Sequence, residues 1–117
     1  MNDRIQDAFN EQINEELFSS YVYLAMAAHF ENLNLEGFAN WMKHQAQEEV
    51  EHAMRFFTHI NRRGGKVTLK AIAEPPANFG TPLEAFEKAL METAREKGQV
   101  RRNRGDVDKA LAEATKK

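Results

Sequence analysis

The sequence contains no cysteine and no long apolar run, and both absences narrow its chemistry. Without cysteine, a disulfide, a zinc–thiolate site and a cysteine nucleophile are all excluded. No apolar run reaches the roughly 18 residues that a membrane span requires, and the first residues lack the apolar segment of a signal peptide. We therefore expect a cytoplasmic protein that does not cross a membrane.

Residues that break helices are scarce in the first 63 positions. All three prolines and five of the six glycines follow residue 63, so long helices can form before that point. The formal net charge is only −2, which argues against a protein dedicated to binding nucleic acid. With 42% apolar and 29% charged residues, the chain is predicted to be a folded, soluble protein. The helical patterns described next make its predicted fold class all-α.

Two long amphipathic helices are predicted, over residues 3–31 and 36–62. Asn2 or Asp3 can cap the first of them. The connection over residues 32–37 is short and polar, and a loop of this length joins antiparallel neighbours. The predicted core of the fold is therefore an antiparallel helix hairpin.

The segment after the second helix is predicted to cross the molecule. Residues 66–80 contain Pro75 and Pro76, which exclude a helix, and their number is sufficient to reach the far end of a helical bundle. Thr81 and Glu84 have the spacing of a capping box, which begins a third, shortened helix. Its predicted packing face consists of Leu83, Phe86, Leu90 and Thr93.

The last residues differ in character from the rest. Residues 98–117 show little apolar periodicity and include the basic run Arg101, Arg102 and Arg104. We predict a helical domain over residues 1–97 and a divergent tail after it. The basic run is interpreted as a solvated tail, and the alternative is a patch for a phosphate or a partner.

A carboxylate and an imidazole lie in the middle of the apolar seam of the second helix. Positions on this seam recur at alternating steps of four and three, and its central members are Glu49 and His52. Residues three apart stack on one helix face, so both side chains can reach the same point. A buried unpaired carboxylate is costly, and a bound cation would offset that cost. The whole seam is Phe38, Met42, Gln45, Glu49, His52, Phe56 and His59.

Glu16 provides a second inward carboxylate, on the seam of the first helix. In an antiparallel hairpin, Glu16 lies within about one helical turn of Glu49 along the hairpin axis. Without a metal, the two crowded carboxylates are expected to have raised pKa values. Glu-x-x-His projecting into a bundle core is the half-site of di-iron carboxylate proteins. The alternative is a chance motif on a charged helix, and the inward position of the side chains favours the metal site. The first seam is Ile5, Phe9, Gln12, Glu16, Ser19, Tyr23, Met26 and Phe30.

Several segments resemble the bacterial and archaeal non-haem ferritins, which belong to the ferritin-like di-iron proteins. The resemblance is nearly ungapped from about Ile5 to Leu90 and rests on specific motifs in the two long helices and the connection after them. These motifs are NEQINEELFSSY (residues 10–21), FANWM (38–42), AQEEVEHA (46–53), GGKV (64–67) and PP (75–76). The implied fold is a ferritin-like bundle.

The resemblance also implies a function: oxidation of Fe(II) with dioxygen or peroxide, and storage of ferric mineral inside a 24-subunit shell. By position, Glu16, Glu49 and His52 match the ligands of the first iron, and Glu49 bridges to the second. Tyr23 matches the tyrosine beside the di-iron centre, and Glu48 matches a carboxylate that some bacterial ferritins use for a third iron. Carboxylate oxygen and imidazole nitrogen are ligands that suit iron.

The chain departs from the family pattern in its third helix and beyond. Thr93 stands where the family has a carboxylate, and the neighbouring Glu92 would project about 100° away on an ideal helix. The missing ligand could come from Glu92 after a local shift of the third helix, or from a partner chain. After about Met91 the sequence no longer follows the family, and the fourth helix has no counterpart. Val50 stands where the haem-binding relatives carry methionine, so no haem is expected. One chain is therefore expected to hold about half of a four-helix site.

Two hypotheses for the function remain. In the first, a two-fold dimer of hairpins brings together two copies each of Glu16, Glu49 and His52, the ligand set of a complete di-iron site, and acts as a ferroxidase. In the second, an altered ferritin assembles as a scaffold and oxidises little iron. Thr93 favours the scaffold, whereas the intact ligands and Tyr23 favour the enzyme. In both, the protein is a homo-oligomer, at least a dimer.

Overall fold

The computed structural model describes residues 1–96 and residue 98, and its regular structure is helical. Helix α1 spans Asp3–Asn32 and helix α2 spans Glu36–Arg62, while helix α3 covers residues 82–96. Within these described residues no strand forms. The predicted all-α class and the predicted limits of the two long helices are confirmed.

A tight turn makes the two long helices antiparallel neighbours. Asn34 has a left-handed φ of 60°, a conformation that asparagine adopts more readily than most residues. The N–H of Leu35 then donates to the carbonyl of Phe30 at 2.9 Å, which closes the end of α1. Gly64, with a φ of 72°, ends α2 by the same backbone geometry. At the start of α1, the Asn2 side chain caps the helix by accepting from two backbone N–H groups.

The crossover after α2 is bound along α1 by amide side chains. Gln6 Oε1 accepts the N–H of Lys66 at 2.8 Å. Asn10 Nδ2 donates to the Lys66 carbonyl at 3.0 Å, and Asn10 Oδ1 accepts the N–H of Thr68 at 2.9 Å. Because an amide offers a donor and an acceptor together, Asn10 pairs with the extended backbone as a neighbouring strand would. This clamp fixes where the crossover begins.

Removing the Asn10 amide should destabilise the fold. Asn10→Ala takes the partner from the Lys66 carbonyl and the Thr68 N–H, and we expect the free energy of unfolding to fall by about 1–2 kcal/mol. Asn14→Ala is the matched control, because Asn14 makes only longer, exposed bonds of 3.4 and 3.2 Å to the same crossover. Urea denaturation of both variants measures the difference, and equal losses would contradict the clamp.

The crossover delivers the chain to the far end of α1, where α3 begins. There His29 Nε2 donates to the Gly80 carbonyl at 2.6 Å. Thr81 Oγ1 accepts the N–H of Glu84, and Glu84 Oε1 accepts the N–H of Thr81, both at 3.2 Å, which confirms the predicted capping box. From this start α3 runs antiparallel to α1, because Gly80, just before α3, contacts His29, whereas Glu92 and Arg95 near its other end contact Ser19 and Glu15.

Helix α3 packs through small residues rather than through its large apolar ones. The prediction that Leu83 and Leu90 face the core is wrong, since they are 68% and 56% exposed. The other two members of that predicted face are half-buried. The buried positions are Ala85, Ala89 and Glu96, because small side chains let the helix axis come close to α1. The large side chains form an outward apolar face.

The buried row of α2 is likewise displaced from the predicted seam. Met42 and Glu49 are buried as predicted, whereas Phe38 is 44% exposed and His59 is exposed. As in α3, alanines occupy part of the buried row, here alternating with larger side chains. The observed row is Ala39, Met42, Ala46, Glu49, Ala53 and Ile60.

Two apolar clusters lie towards opposite ends of the hairpin, with a polar layer between them. The larger cluster, near the turn between the helices, includes Phe30 and Met42. The smaller cluster, near the other end, consists of Ile13, Ala53 and Ile60, with half-buried aromatic side chains against it. Apolar packing on both sides therefore fixes the position of the polar layer along the hairpin and limits its contact with water.

Two further predictions concern membrane-spanning helices and the C-terminal tail. No helix among the described residues is long and apolar enough to cross a membrane. The predicted tail over residues 98–117, with its basic run, lies outside the described residues apart from Gly98. The domain boundary after residue 97 therefore stays a prediction.

Candidate metal centre

Four ionisable side chains from all three helices meet in the polar layer. Helix α1 contributes Glu16, α2 contributes Glu49 and His52, and α3 contributes Glu96. Each offers one ligand atom, and these atoms all lie within 4.8 Å of one another. Protein ligands bind a metal at about 2.0–2.2 Å, so ligands on opposite sides of one ion are about 4 Å apart. The spacing of this metal cluster therefore fits the coordination sphere of one cation.

Two oxygen atoms of the metal cluster are buried without a hydrogen-bond donor. Glu16 and Glu49 are 3% and 5% exposed, and Oε2 of each has no hydrogen-bond partner among the described residues. Only the other oxygen of Glu16 is bonded, accepting from Gln12 Nε2 at 2.9 Å. His52 Nδ1 lies 3.5 Å from Glu16 Oε2 and 3.7 Å from Glu49 Oε2. Because buried polar atoms are nearly always paired, these oxygens indicate a place for a cation.

The metal cluster holds protons when it holds no metal. Burial, together with the neighbouring Glu16 and Glu96, raises the pKa of Glu49 to about 11, and burial raises the pKa of Glu96 to about 7. The expectation of a raised pKa at Glu16 is wrong. Burial alone would raise it, but the neighbouring Glu49 and Glu96 and the amide of Gln12 lower the pKa of Glu16. Glu49 therefore keeps its proton in the metal-free chain, and a cation would replace that proton.

Glu96 is the residue of this cluster that the sequence did not reveal. Glu92, the sequence-based alternative to a ligand from a partner chain, instead accepts hydrogen bonds from Ser19 Oγ and Arg95. Glu96 lies one turn later, on the buried row of α3 that begins with alanines, and that row was the signal that could have revealed it. One chain thus brings together three carboxylates and one imidazole, more than the half-site expected from the position of Thr93.

Tyr23 and Glu48 line the same cavity as the metal cluster. This cavity has a volume of about 620 Å³. Tyr23 is 2% exposed, and its Oη lies 2.8 Å from Thr93 Oγ1. Thr93 Oγ1 donates its own proton to the Ala89 carbonyl at 3.1 Å, so Tyr23 is the donor in the bond between them. Burial raises the pKa of Tyr23 to about 12. Glu48 is exposed and lies where the cavity meets solvent.

The fold and the metal cluster together define a class, the helical bundles that carry a carboxylate and histidine site in their core. Comparison with known families specifies it further. Residues 6–111 match the family model of ferritin, described as a ferritin-like domain. The chain belongs to the ferritin-like family.

Individual relatives support the same assignment. The bacterial non-heme ferritin of Bacteroides fragilis is 45% identical over 87 residues, which are 74% of this chain and 55% of the relative. That of Staphylococcus saprophyticus is 40% identical over 90 residues, 77% of this chain and 54% of the relative. A crystal structure of an open pore ferritin from the archaeon Archaeoglobus fulgidus has a TM-score of 0.90 and 37% identity, covering 98% of this chain and 70% of that one. The chain spans about half the length of the curated relatives it matches.

Proposed function

We propose that the chain binds Fe(II) through Glu16, Glu49, His52 and Glu96, and that Fe(II) oxidation and iron storage are its function. The observation that carries the proposal is the pair of buried Oε2 atoms that have no donor and lie beside one imidazole. Anionic oxygen ligands favour Fe(III) over Fe(II), because the ion of higher charge gains more Coulomb energy. The metal cluster would therefore promote the loss of an electron from bound iron.

A pair of irons needs more ligands than one chain brings together. Di-iron sites in helical bundles typically take a Glu from each of two helices and a Glu-x-x-His motif from each of the other two, whereas the metal cluster has three carboxylates and one imidazole. Each Fe(II) releases one electron, and reduction of dioxygen to hydrogen peroxide consumes two electrons and two protons. We therefore propose that a second copy of this chain supplies the second iron and its ligands across a two-fold interface.

The outward faces of α2 and α3 support this association. Leu83, Phe86 and Leu90 recur at steps of three and four on α3, and Phe86 stacks on the exposed Trp41 of α2 with ring centroids 5.9 Å apart. Exposed apolar side chains grouped on one side of a small protein mark an interaction surface. We propose that a homo-oligomer, at least a dimer, covers this face. The 24-subunit shell implied by the resemblance stays a prediction.

Tyr23 and Glu48 have distinct parts in the proposal. Tyr23 keeps its proton at neutral pH, because burial raises its pKa, and we assign it the catalytic role of holding that proton beside the oxidised iron. Glu48, exposed at the cavity, would bind a further iron at the entrance. Val50 offers no axial ligand for haem, so haem has no part in the proposal. The cytoplasmic location also stays a prediction.

The second candidate function is a scaffold that assembles but oxidises little iron. Thr93 favours it, because this hydroxyl stands in place of a carboxylate and is already bonded to Tyr23 and to the Ala89 carbonyl. Stopped-flow measurement of Fe(II) oxidation by the assembled protein distinguishes the two functions. A scaffold would bind metal yet oxidise Fe(II) no faster than buffer.

Metal binding should raise the melting temperature of the wild type but not that of Glu49→Gln. Zn(II), used as a probe that does not change oxidation state, should stabilise the folded chain by about 2.7 kcal/mol at 100 times its Kd. Glutamine keeps the shape of Glu49 but removes the anionic oxygen, so most of this gain should disappear. Glu51→Gln, which alters an exposed carboxylate on the same helix, is the matched control and should keep the gain. A shift that survives in Glu49→Gln would refute the ligand assignment.

A further inference from the structure

A second group of polar side chains joins α1 to α3 beside the metal cluster. Arg95 Nη1 donates to Glu15 Oε2 at 2.6 Å, while Nε and Nη2 donate to the two oxygens of Glu92 at 3.2 and 2.7 Å. Arg95 Nη2 also donates to Ser19 Oγ at 3.1 Å, and Ser19 Oγ donates to Glu92 Oε1 at 3.0 Å. The guanidinium carbon lies 5.2 Å from the centre of the Phe18 ring. We call these five residues the Arg95 network.

The Arg95 network and the metal cluster use adjacent residues of the same two helices. Glu15 and Arg95 meet in the network, and the next residues along each helix, Glu16 and Glu96, meet in the metal cluster. Consecutive residues on a helix point about 100° apart, so the contact between α1 and α3 carries the network on one side and the cluster on the other. Sliding α3 by one residue, about 1.5 Å, would disrupt both.

The packing of α3 alone specifies this register weakly. Its buried apolar positions are Ala85 and Ala89, and alanines form shallow ridges that interlock less than large side chains do. On α1, Glu96 meets only the carboxyl group of Glu16 within the metal cluster, so this contact contains no pair of opposite charges that would fix the register. The Arg95 network, with three guanidinium nitrogens bonded at once, adds a stronger directional constraint to this contact than the single hydrogen bond between Tyr23 and Thr93.

We propose that Arg95 is a positioning residue of the metal site, which holds α3 in the register that brings Glu96 into the metal cluster. The inference rests on the proposed binding of metal by that cluster. Lysine would be a poor substitute, because an ammonium group on a flexible stem cannot bond Glu15, Glu92 and Ser19 in the fixed fork that a guanidinium provides.

Calorimetric titration of Zn(II) into the metal-free chain tests the proposal. Arg95→Gln should weaken Zn(II) binding about tenfold, since losing a group that orients metal ligands costs about 10–100-fold in affinity. Arg95→Lys should recover part of the loss. The control Lys43→Gln removes the exposed ion pair between Lys43 and Glu31, which also joins two helices but lies elsewhere, and should leave the affinity unchanged.

A double-mutant cycle separates positioning from general stabilisation. If Arg95 acts through Glu96, adding Arg95→Gln to Glu96→Gln should cost little further affinity, because the ligand that it positions is already gone. The proposal is overturned if the two fold-changes multiply, or if Arg95→Gln lowers the melting temperature yet binds Zn(II) like the wild type. A wild-type chain that does not bind Zn(II) would be a different failure, since it rejects the proposed function and the inference together.

Discussion

In the absence of metal, the melting temperature of the protein should fall as the pH is raised from about 5 to about 8. Glu49 and Glu96 keep their protons in the folded chain up to pKa values of about 11 and about 7, against 4.5 for an ordinary glutamate. The unfolded chain therefore binds fewer protons than the folded chain in this range, and the free energy of unfolding decreases with rising pH. Each such proton contributes about 1.4 kcal/mol per pH unit, or roughly 5–10 °C in a domain of this size.

The sign of this effect differs among the three carboxyl groups. The contributions of Glu49 and Glu96 are fully present below 4.5 and are lost as the pH rises through their folded pKa values, first that of Glu96 near 7 and then that of Glu49. Glu16 has a lowered pKa, so its contribution is lost only on acidification below 4.5, outside the range that is scanned. The downward slope between pH 5 and 8 therefore reports on Glu49 and Glu96.

Glu49→Gln supplies the control, because an amide resembles the protonated carboxyl group at every pH. Without metal, this variant should be more stable than the wild type at pH 8 and close to it at pH 5, with a shallower slope between them. Thermal unfolding followed by circular dichroism, in buffer with a chelator, measures both curves. Parallel curves would contradict the retention of a proton by Glu49.

The hairpin and three members of the metal cluster could be predicted from the sequence for one physical reason. Helices α1 and α2 are long, lack proline, and repeat apolar residues at helical spacing. A carboxylate at a position where this pattern predicts an apolar side chain therefore indicates a functional role. Glu16, Glu49 and His52 were visible in this way, and the structure brings them together. Because the two helices pair antiparallel across a short turn, the position of Glu16 relative to Glu49 and His52 along the hairpin axis could also be predicted.

Glu96 was not predictable by the same reasoning. The spacing of Leu83 and Leu90 on α3 gives a helical stripe as regular as that of Ala85 and Ala89, and the larger side chains suggested the wrong face. Which of the two stripes is buried depends on the space that α1 and the crossover leave for α3. That space is set by tertiary packing and cannot be predicted from the sequence of α3 alone. The register of α3 depends in turn on ion pairs between residues about 80 positions apart in the sequence, such as Arg95 and Glu15.

With Glu96 in the metal cluster, the proposed catalysis depends on how two irons would be paired. Four ligand atoms within 4.8 Å of one another can surround one cation, whereas two-metal chemistry uses ions about 3.5–4 Å apart with bridging groups. The side chain of His52 is 41% exposed, so this edge of the metal cluster is open to a second chain. A two-fold axis near that edge would bring two single-iron sites together.

Wild-type chains should therefore lose Fe(II) oxidation when they are paired with His52→Ala chains. If the active unit is a dimer that needs both copies of His52, the rate after subunit exchange should fall as the square of the wild-type fraction, to about one quarter at equal mixing. His44→Ala changes an exposed histidine on the same helix, and mixing with it should leave the rate unchanged. Sedimentation must first show an assembly larger than a monomer at micromolar concentration, and native mass spectrometry must confirm the exchange. A linear fall, to about one half at equal mixing, would mean that each chain oxidises iron alone, through the metal cluster that Glu96 completes.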